Sequence, residues 1–201
     1  QLAKEEIESG KIKLNFLNEV ENNKRAMKQE KNKAVFLDRD GTIDENLYEV
    51  DGKLMSPANL EQLKILPQVK EGISELKKQG FKIIGITNQP GIAFGYLLLK
   101  KLNEINDFLK KELEIDEIYS CIHHPKDNCE CRKPNPTLIL QAAKDSNIDV
   151  SQSYMIGDSL SDIETGNNSL AKLLIFGAIF LAIFILVFGE IMIRMSYNRW
   201  F

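Results

Sequence analysis

The stretch "KAVFLDRDGTID", residues 33–44, sets an apolar run against a sudden cluster of charge. Ala34, Val35, Phe36 and Leu37 are apolar without alternation. That is the pattern of a short strand buried on both faces, as in a parallel sheet covered by helices. Asp38, Arg39 and Asp40 follow at once, so two carboxylates stand where such a strand ends. Gly41 lets the chain turn back without a Cβ clash. Either these aspartates belong to a solvated turn, where Asp is common, or chemistry is done there.

Three further segments read as buried strands: "FKIIGIT" (81–87), "EIYSCI" (117–122) and "SYMIGD" (153–158). Helical patterns separate them. Pro67 opens one in which Val69, Ile73 and Leu76 share a face, and Gly80 suits its C-terminal end. "LLLKKLNEINDFLKKEL" (97–113) is amphipathic, with Leu102, Ile105, Leu109 and Leu113 on one stripe. Asn135 caps and Pro136 starts another helix, running to about Lys144. Strands alternating with helices predict an α/β fold, a Rossmann-like three-layer sandwich with a mostly parallel sheet.

In an open parallel sheet, ligands bind at the carboxyl ends of the strands. Asp38 and Asp40 follow the first strand, Thr87 and Asn88 the second, and Asp158 the fourth, with Asp162 at the start of the next helix. Carboxylates brought together repel unless a cation sits among them. Hard oxygen ligands select Mg²⁺, which leaves room for a phosphate oxygen. The Thr87 hydroxyl and the Lys133 ammonium could hold the remaining phosphate oxygens.

The three cysteines all fall between Cys121 and Cys131, in "CIHHPKDNCECRKP" (121–134). Cys121, His123, Cys129 and Cys131 give C-x-H-x₅-C-x-C, a ligand set that suits tetrahedral Zn²⁺ with no open position. Cys129 and Cys131 are poorly placed to bond each other as a disulfide. His124 is an alternative ligand to His123. Reduced core thiols or a redox site are the competing readings.

"DRDGT" after one strand, "TNQPG" after a second, "RKP" before a helix and "GDSLSD" after a further strand resemble, in order, the four motifs of the haloacid dehalogenase superfamily of phosphatases. The resemblance covers about residues 34–170 and implies a fold with a minimal cap. It implies that Asp38 is the nucleophile, giving an aspartyl-phosphate, and that Asp40 is the proton shuttle. It implies Mg²⁺ on Asp38, the Asp40 carbonyl and Asp158, with Asp162 in support, and Lys133 neutralising phosphoryl charge. "CxHHP…CxCRKP" beside "TNQ-x-GIA" is similar to the subgroup acting on D-glycero-D-manno-heptose 1,7-bisphosphate and on histidinol phosphate. That likeness favours His123 as the zinc ligand, makes the zinc structural, and gives Gln89 and Arg132 a part in reading the substrate, with Thr87, Asn88 and Lys133 expected to bind its phosphate. Relatives usually carry Arg where this chain has Phe94, which leaves the substrate's identity open.

Residues 1–33 are rich in Lys, Glu and Asn and read as a linker or the remnant of an upstream domain. "QLAKEEIESGKI" (1–12) faintly resembles the last helix of a sugar nucleotidyltransferase, so a fused upstream partner of that kind is considered. At the other end, residues 171–201 are an apolar tail. "LLIFGAIFLAIFILVFG" (173–189) carries no charge, and continued to Ile193 it would span roughly 30 Å as a helix, the thickness of a bilayer core. Arg194, Tyr197, Arg199 and Trp200 could anchor it at the interface. A buried strand "KLLIF" followed by a core helix is the alternative, and a tail not native to the domain is a third. If the segment is a membrane span, the sheet is truncated after its fourth strand, and an inactive membrane-bound fragment becomes a rival.

At 201 residues, 43% hydrophobic and 27% charged, the chain is an ordinary globular domain with an appendage. A net charge of −3, with no basic stripe, argues against nucleic acid as a partner. No secretory signal is present, so the expected setting is the cytoplasm, with membrane association only through 173–193. The expectation is a monomeric, Mg²⁺-dependent phosphatase with structural Zn²⁺. Its substrate would be a small phosphorylated sugar, foremost the 7-phosphate of heptose 1,7-bisphosphate, with histidinol phosphate the alternative.

Overall fold

Val35 and Leu37 point into one apolar cluster and Ala34 and Phe36 into another. This is the two-sided burial that the first strand's composition requires. The structure, a computed structural model, describes residues 31–48 and 54–175. Its elements in chain order are β1 (Lys33–Leu37), β2 (Leu47–Tyr48), β3 (Leu54–Met55), α1 (Val69–Lys78), β4 (Phe81–Asn88), α2 (Gly91–Phe94), α3 (Leu99–Leu113), β5 (Glu117–Cys121), α4 (Thr137–Asp145), β6 (Tyr154–Gly157), α5 (Leu160–Ser169) and β7 (Lys172–Ile175).

Five strands form one parallel sheet in the order β5-β4-β1-β6-β7. The chain builds outward from β1 through β4 to β5, then returns to β1's other edge for β6 and β7. The strand order therefore reverses at β1, between β4 and β6, where a crevice opens at the carboxyl ends. β2 and β3 pair separately as a small antiparallel hairpin. On one face Val35, Leu37, Ile83 and Ile156 pack with Ile73 and Leu76 of α1 and Ile105, Leu109 and Leu113 of α3. On the other, Phe36, Ile84, Ile86 and Met155 pack with Ile139 and Ala142 of α4. Each fully buried Ile or Phe contributes about 1.5–3 kcal/mol.

The expected elements are present with adjusted ends. α1 begins at Val69, after Gln68 rather than at Pro67. Asn135 does not cap α4; Pro136 holds that position, and the Asn135 amide instead donates to the Cys129 carbonyl at 3.1 Å.

The C-terminal reading changes more. Lys172–Ile175 pair with β6 as a fifth strand, in register Tyr154↔Lys172 to Gly157↔Ile175. The sheet therefore continues past β6. A membrane helix starting at Leu173 is ruled out, because residues 173–175 are extended and hydrogen-bonded in the sheet, which favours the strand reading of "KLLIF". Residues 176–201 of the tail, and residues 1–30 of the expected linker or upstream remnant at 1–33, lie outside the described residues. Among the described residues no helix is long and apolar enough to cross a membrane.

Candidate active site

Asp38 leaves β1 with its amide still bonded to the Ile156 carbonyl of β6 (2.9 Å), so its side chain enters the crevice from a fixed origin. It is almost wholly buried. Lys133 reaches it from the loop between β5 and α4. Its ammonium donates to Asp38 Oδ1 (2.5 Å), to Asp162 Oδ1 (2.6 Å) and to the Ile86 carbonyl (2.9 Å). Three acceptors satisfy all three protons of a buried ammonium. Burial pushes the Asp38 carboxyl up to about 7, against the pull of Lys133. Burial would lower the Lys133 amine, but Asp38 and Asp162 outweigh it and hold it above its ordinary value.

Asp162 is in turn locked. Its second oxygen accepts the Ser159 amide (3.1 Å) and the Ser159 hydroxyl (2.5 Å) at the start of α5. Gly157 makes room for it, since a Cβ there would lie 2.3 Å from Asp162 Cγ. Asp158, by contrast, is exposed at the mouth of the crevice, touched by the Asn46 amide at 3.2 Å. Burial raises its carboxyl above the ordinary value, with Asn46 opposing. Oxygens of Asp38, Asp158 and Asp162 lie within 4.8 Å of one another. Among the described residues Lys133 is the one cation paired with these three carboxylates, so the group retains negative charge. With hard oxygen donors, that fits a divalent cation such as Mg²⁺. Because both Asp162 oxygens already accept protein donors, Asp162 is suited to support rather than ligation.

Asp40 is held on two sides. Ser56 Oγ (2.7 Å) and Gln89 Nε2 (2.6 Å) donate to its Oδ2, and Arg39 pairs with its Oδ1. Gly41, at φ +83, lets the chain pass beneath Asp158; a Cβ there would sit 2.0 Å from Asp158 Oδ2.

Sequence reasoning found the residues at the β4 end but not their partners. The Asn88 side chain brackets the Lys133 backbone, accepting its amide at 3.0 Å and donating to its carbonyl at 3.3 Å. Gln89 is fully buried and bonds Asp40 and the Thr87 hydroxyl (2.9 Å), which turns it away from an exposed substrate-reading position. Arg132 is half-buried, and its Nη1 has no hydrogen-bond partner among the described residues. Asp44, Asn46 and Ser56 were not singled out at all. Asp44 alone left a trace, a second carboxylate one turn beyond Asp40; Asn46 and Ser56 sit in turn-rich sequence where such residues are expected anyway.

The cysteine loop closes on itself. Sulfur and nitrogen separations are 3.5 Å (Cys121–Cys129), 3.7 Å (Cys129–Cys131), 3.1 Å (His123 Nδ1–Cys131) and 3.7 Å (Cys121–His123 Nδ1). Tetrahedral ligands 2.0–2.3 Å from zinc would stand roughly 3.3–3.8 Å apart, and all three thiols are free. Burial and the neighbouring thiols push Cys131 up to about 12, so three thiolates can coexist here only around a cation. The donor set fits Zn²⁺. His124 is otherwise engaged: its Nδ1 accepts the Lys126 amide at 3.0 Å, and its ring meets Phe94 edge-on at 4.9 Å. The Gln89 amide donates to the Cys121 carbonyl at 2.6 Å, which ties this loop to the β4 end.

The sequence model of the haloacid dehalogenase-like hydrolase family matches residues 44–169. A D-glycero-beta-D-manno-heptose-1,7-bisphosphate 7-phosphatase of Helicobacter pylori (strain ATCC 700392 / 26695) is 42% identical over 147 residues, covering 70% of this chain and 81% of its own. The enzyme of the same name from Escherichia coli (strain K12) is 35% identical over 146 residues, covering 65% and 71%. The crystal structure of D,D-heptose 1,7-bisphosphate phosphatase from B. bronchiseptica, complexed with magnesium and phosphate, superposes with a TM-score of 0.62. It is 28% identical and covers 70% of this chain and 78% of that one.

Proposed function

We propose that this chain, which belongs to the haloacid dehalogenase-like hydrolase family and is a phosphatase, removes the 7-phosphate of D-glycero-D-manno-heptose 1,7-bisphosphate. The observation that carries the chemistry is the convergence of Asp38, Lys133 and Asp158 at the carboxyl ends of β1 and β6. The relatives' shared activity supports the substrate.

Asp38 attacks phosphorus from its fixed position and becomes an aspartyl-phosphate. Its nucleophilic oxygen must be unprotonated, and the Lys133 contact favours that state against burial. Lys133 also neutralises charge that spreads over the phosphoryl oxygens during transfer. Asp40 protonates the leaving alkoxide and then takes a proton from the water that hydrolyses the intermediate. The Thr87 hydroxyl and Arg132 contact the phosphate and the sugar. Asp38, the Asp40 carbonyl and Asp158 would hold Mg²⁺, which supplies charge neutralisation at the phosphate when bound. Asn88 and Gln89 act through Lys133 and Asp40, which they hold in place.

Cys121, His123, Cys129 and Cys131 would hold Zn²⁺ as a structural staple, fixing the loop that ends in Arg132 and Lys133. The same reading puts the chain in the cytoplasm, working as a monomer on a small phosphorylated sugar.

The test is phosphate release by the full chain with Mg²⁺ from heptose 1,7-bisphosphate, histidinol phosphate and a panel of simple monoesters. We expect kcat/KM on the heptose to exceed that on histidinol phosphate at least ~10-fold, and Asp38→Asn to lose ~10³-fold or more. No release from any monoester, with Asp38→Asn indistinguishable from the parent, would defeat the enzyme reading. A preference for histidinol phosphate would defeat the heptose assignment.

A further inference from the structure

One cluster of buried charge is not used by this chemistry. Arg39 lies between the two aspartates of the first motif, yet it is completely buried. A buried guanidinium must be paired. Its Nε donates to Asp40 Oδ1 at 3.1 Å, and its Nη2 pairs with the same oxygen. Nε also stands 3.5 Å from Asp44 Oδ2. Asp44 is completely buried too, and among the described residues neither of its oxygens has a hydrogen-bond partner. Among the described residues its one ion pair is with Arg39.

The turn is built to deliver Asp44 there. The Arg39 carbonyl accepts the amides of Thr42 (3.1 Å), Ile43 (2.7 Å) and Asp44 (3.1 Å), and the Gly41 amide donates to the Asp44 carbonyl at 2.7 Å. The Ile43 carbonyl and the Glu45 amide are tied to Leu66 (3.0 Å) and Lys64 (2.8 Å), which fixes the far side of the turn. A carboxylate is thus carried into an apolar interior, at a cost, to meet a guanidinium that already has one counter-charge. With Asp44 on the Nε side, both Arg39 contacts to Asp40 converge on the single oxygen Oδ1. Oδ2 stays with Ser56 and Gln89.

We propose that Asp44 is a positioning residue: through Arg39 it holds the Asp40 carboxyl at the angle needed to protonate the substrate's leaving oxygen. Without the Asp44 charge, Asp40 alone balances Arg39. The pair then closes into a two-oxygen fork, which turns Oδ2 away from Ser56 and Gln89. This inference rests on the reading of Asp40 as the proton donor.

Leaving-group dependence tests it, because kcat/KM reports the steps up to phosphoryl transfer onto Asp38. An alkyl phosphate needs a proton on its departing oxygen; p-nitrophenyl phosphate does not. Asp44→Asn is expected to lower kcat/KM on an alkyl phosphate by ~10–100-fold, a fraction of the 10²–10⁴ that general acid catalysis supplies. On p-nitrophenyl phosphate the loss should stay within about 3-fold. Arg39→Lys keeps the charge but cannot place two N–H donors on Asp40 Oδ1 as Nε and Nη2 do, so it also frees the Asp40 carboxyl to turn and should show the same bias if Asp44→Asn does not fold. Equal losses on both esters in these variants would overturn the inference, since a merely structural defect spares neither. Asp40→Asn is the internal control. If it shows no leaving-group bias, or if the parent chain releases no phosphate, the underlying reading fails instead.

Discussion

Lys133→Met should destabilise the fold in a pH-dependent way. Met preserves most of the side-chain length and removes the charge. The ammonium is buried with three acceptors at 2.5, 2.6 and 2.9 Å, two of them carboxylates. Deleting one member of a buried ionic cluster typically costs about 3–5 kcal/mol, because its partners remain buried and uncompensated. Protonating a carboxylate relieves that cost, so pH sets how much of it appears. A carboxyl whose folded value is raised contributes stability that is full below its unfolded value and lost as pH rises through the folded one. For Asp38 in the parent chain, that window runs from 3.8 to about 7. Without Lys133 the folded value rises further, so the variant keeps losing stability at pH where the parent has levelled off. The slope is at most about 1.4 kcal/mol per pH unit per proton. The stability gap should be roughly 1–2 kcal/mol at pH 5 and about 2–3.5 kcal/mol at pH 8, because the one pH unit above the parent's folded value of about 7 adds at most about 1.4 kcal/mol. Urea unfolding of magnesium-free protein at the two pH values measures it. Adding Asp162→Asn removes the second carboxylate and should recover part of the gap at pH 8. A gap that is equal at both pH values, or narrower at pH 8, would refute the argument.

Gly41→Ala places a methyl 2.0 Å from Asp158 Oδ2 at a backbone φ of +83. Mg²⁺ affinity, read from the magnesium dependence of activity, should fall at least ~10-fold while the sheet stays folded; an unchanged magnesium dependence would count against Asp158 as a ligand. Metal analysis of purified protein should find about one zinc per chain, and Cys129→Ser should lower both zinc content and melting temperature. Zinc near zero with full activity would remove the structural-zinc proposal.

Much of this molecule could be read before it was folded. A strand buried on both faces must be apolar throughout, so "KAVFL" and "KIIGI" announced a parallel sheet, and the polar residues after them marked the functional end. The cysteine spacing named its own cluster, because ligands close in sequence on a short loop have few other ways to meet. The tail misled for the same reason that the strands were legible. A strand in a sheet's interior and the start of a lipid-facing helix have the same apolar composition, and at Lys172–Ile175 only pairing with β6 distinguishes them.

Sequence by itself determined the reaction's raw materials: which carboxylates, which lysine, which thiols, and at which end of the sheet. Motif spacing and strand burial are local properties, and they carry that much. Tertiary structure decided the partnerships. Asn88 and Gln89 looked like groups for a substrate, yet they bond the Lys133 backbone and the Asp40 carboxylate. Nothing in the local sequence marks Arg39 and Asp44 as interior residues, yet both are completely buried. A polar side chain's partner depends on what the fold brings opposite it, and its energetic weight depends on how much water the fold removes. Neither quantity is written in the order of residues along the chain.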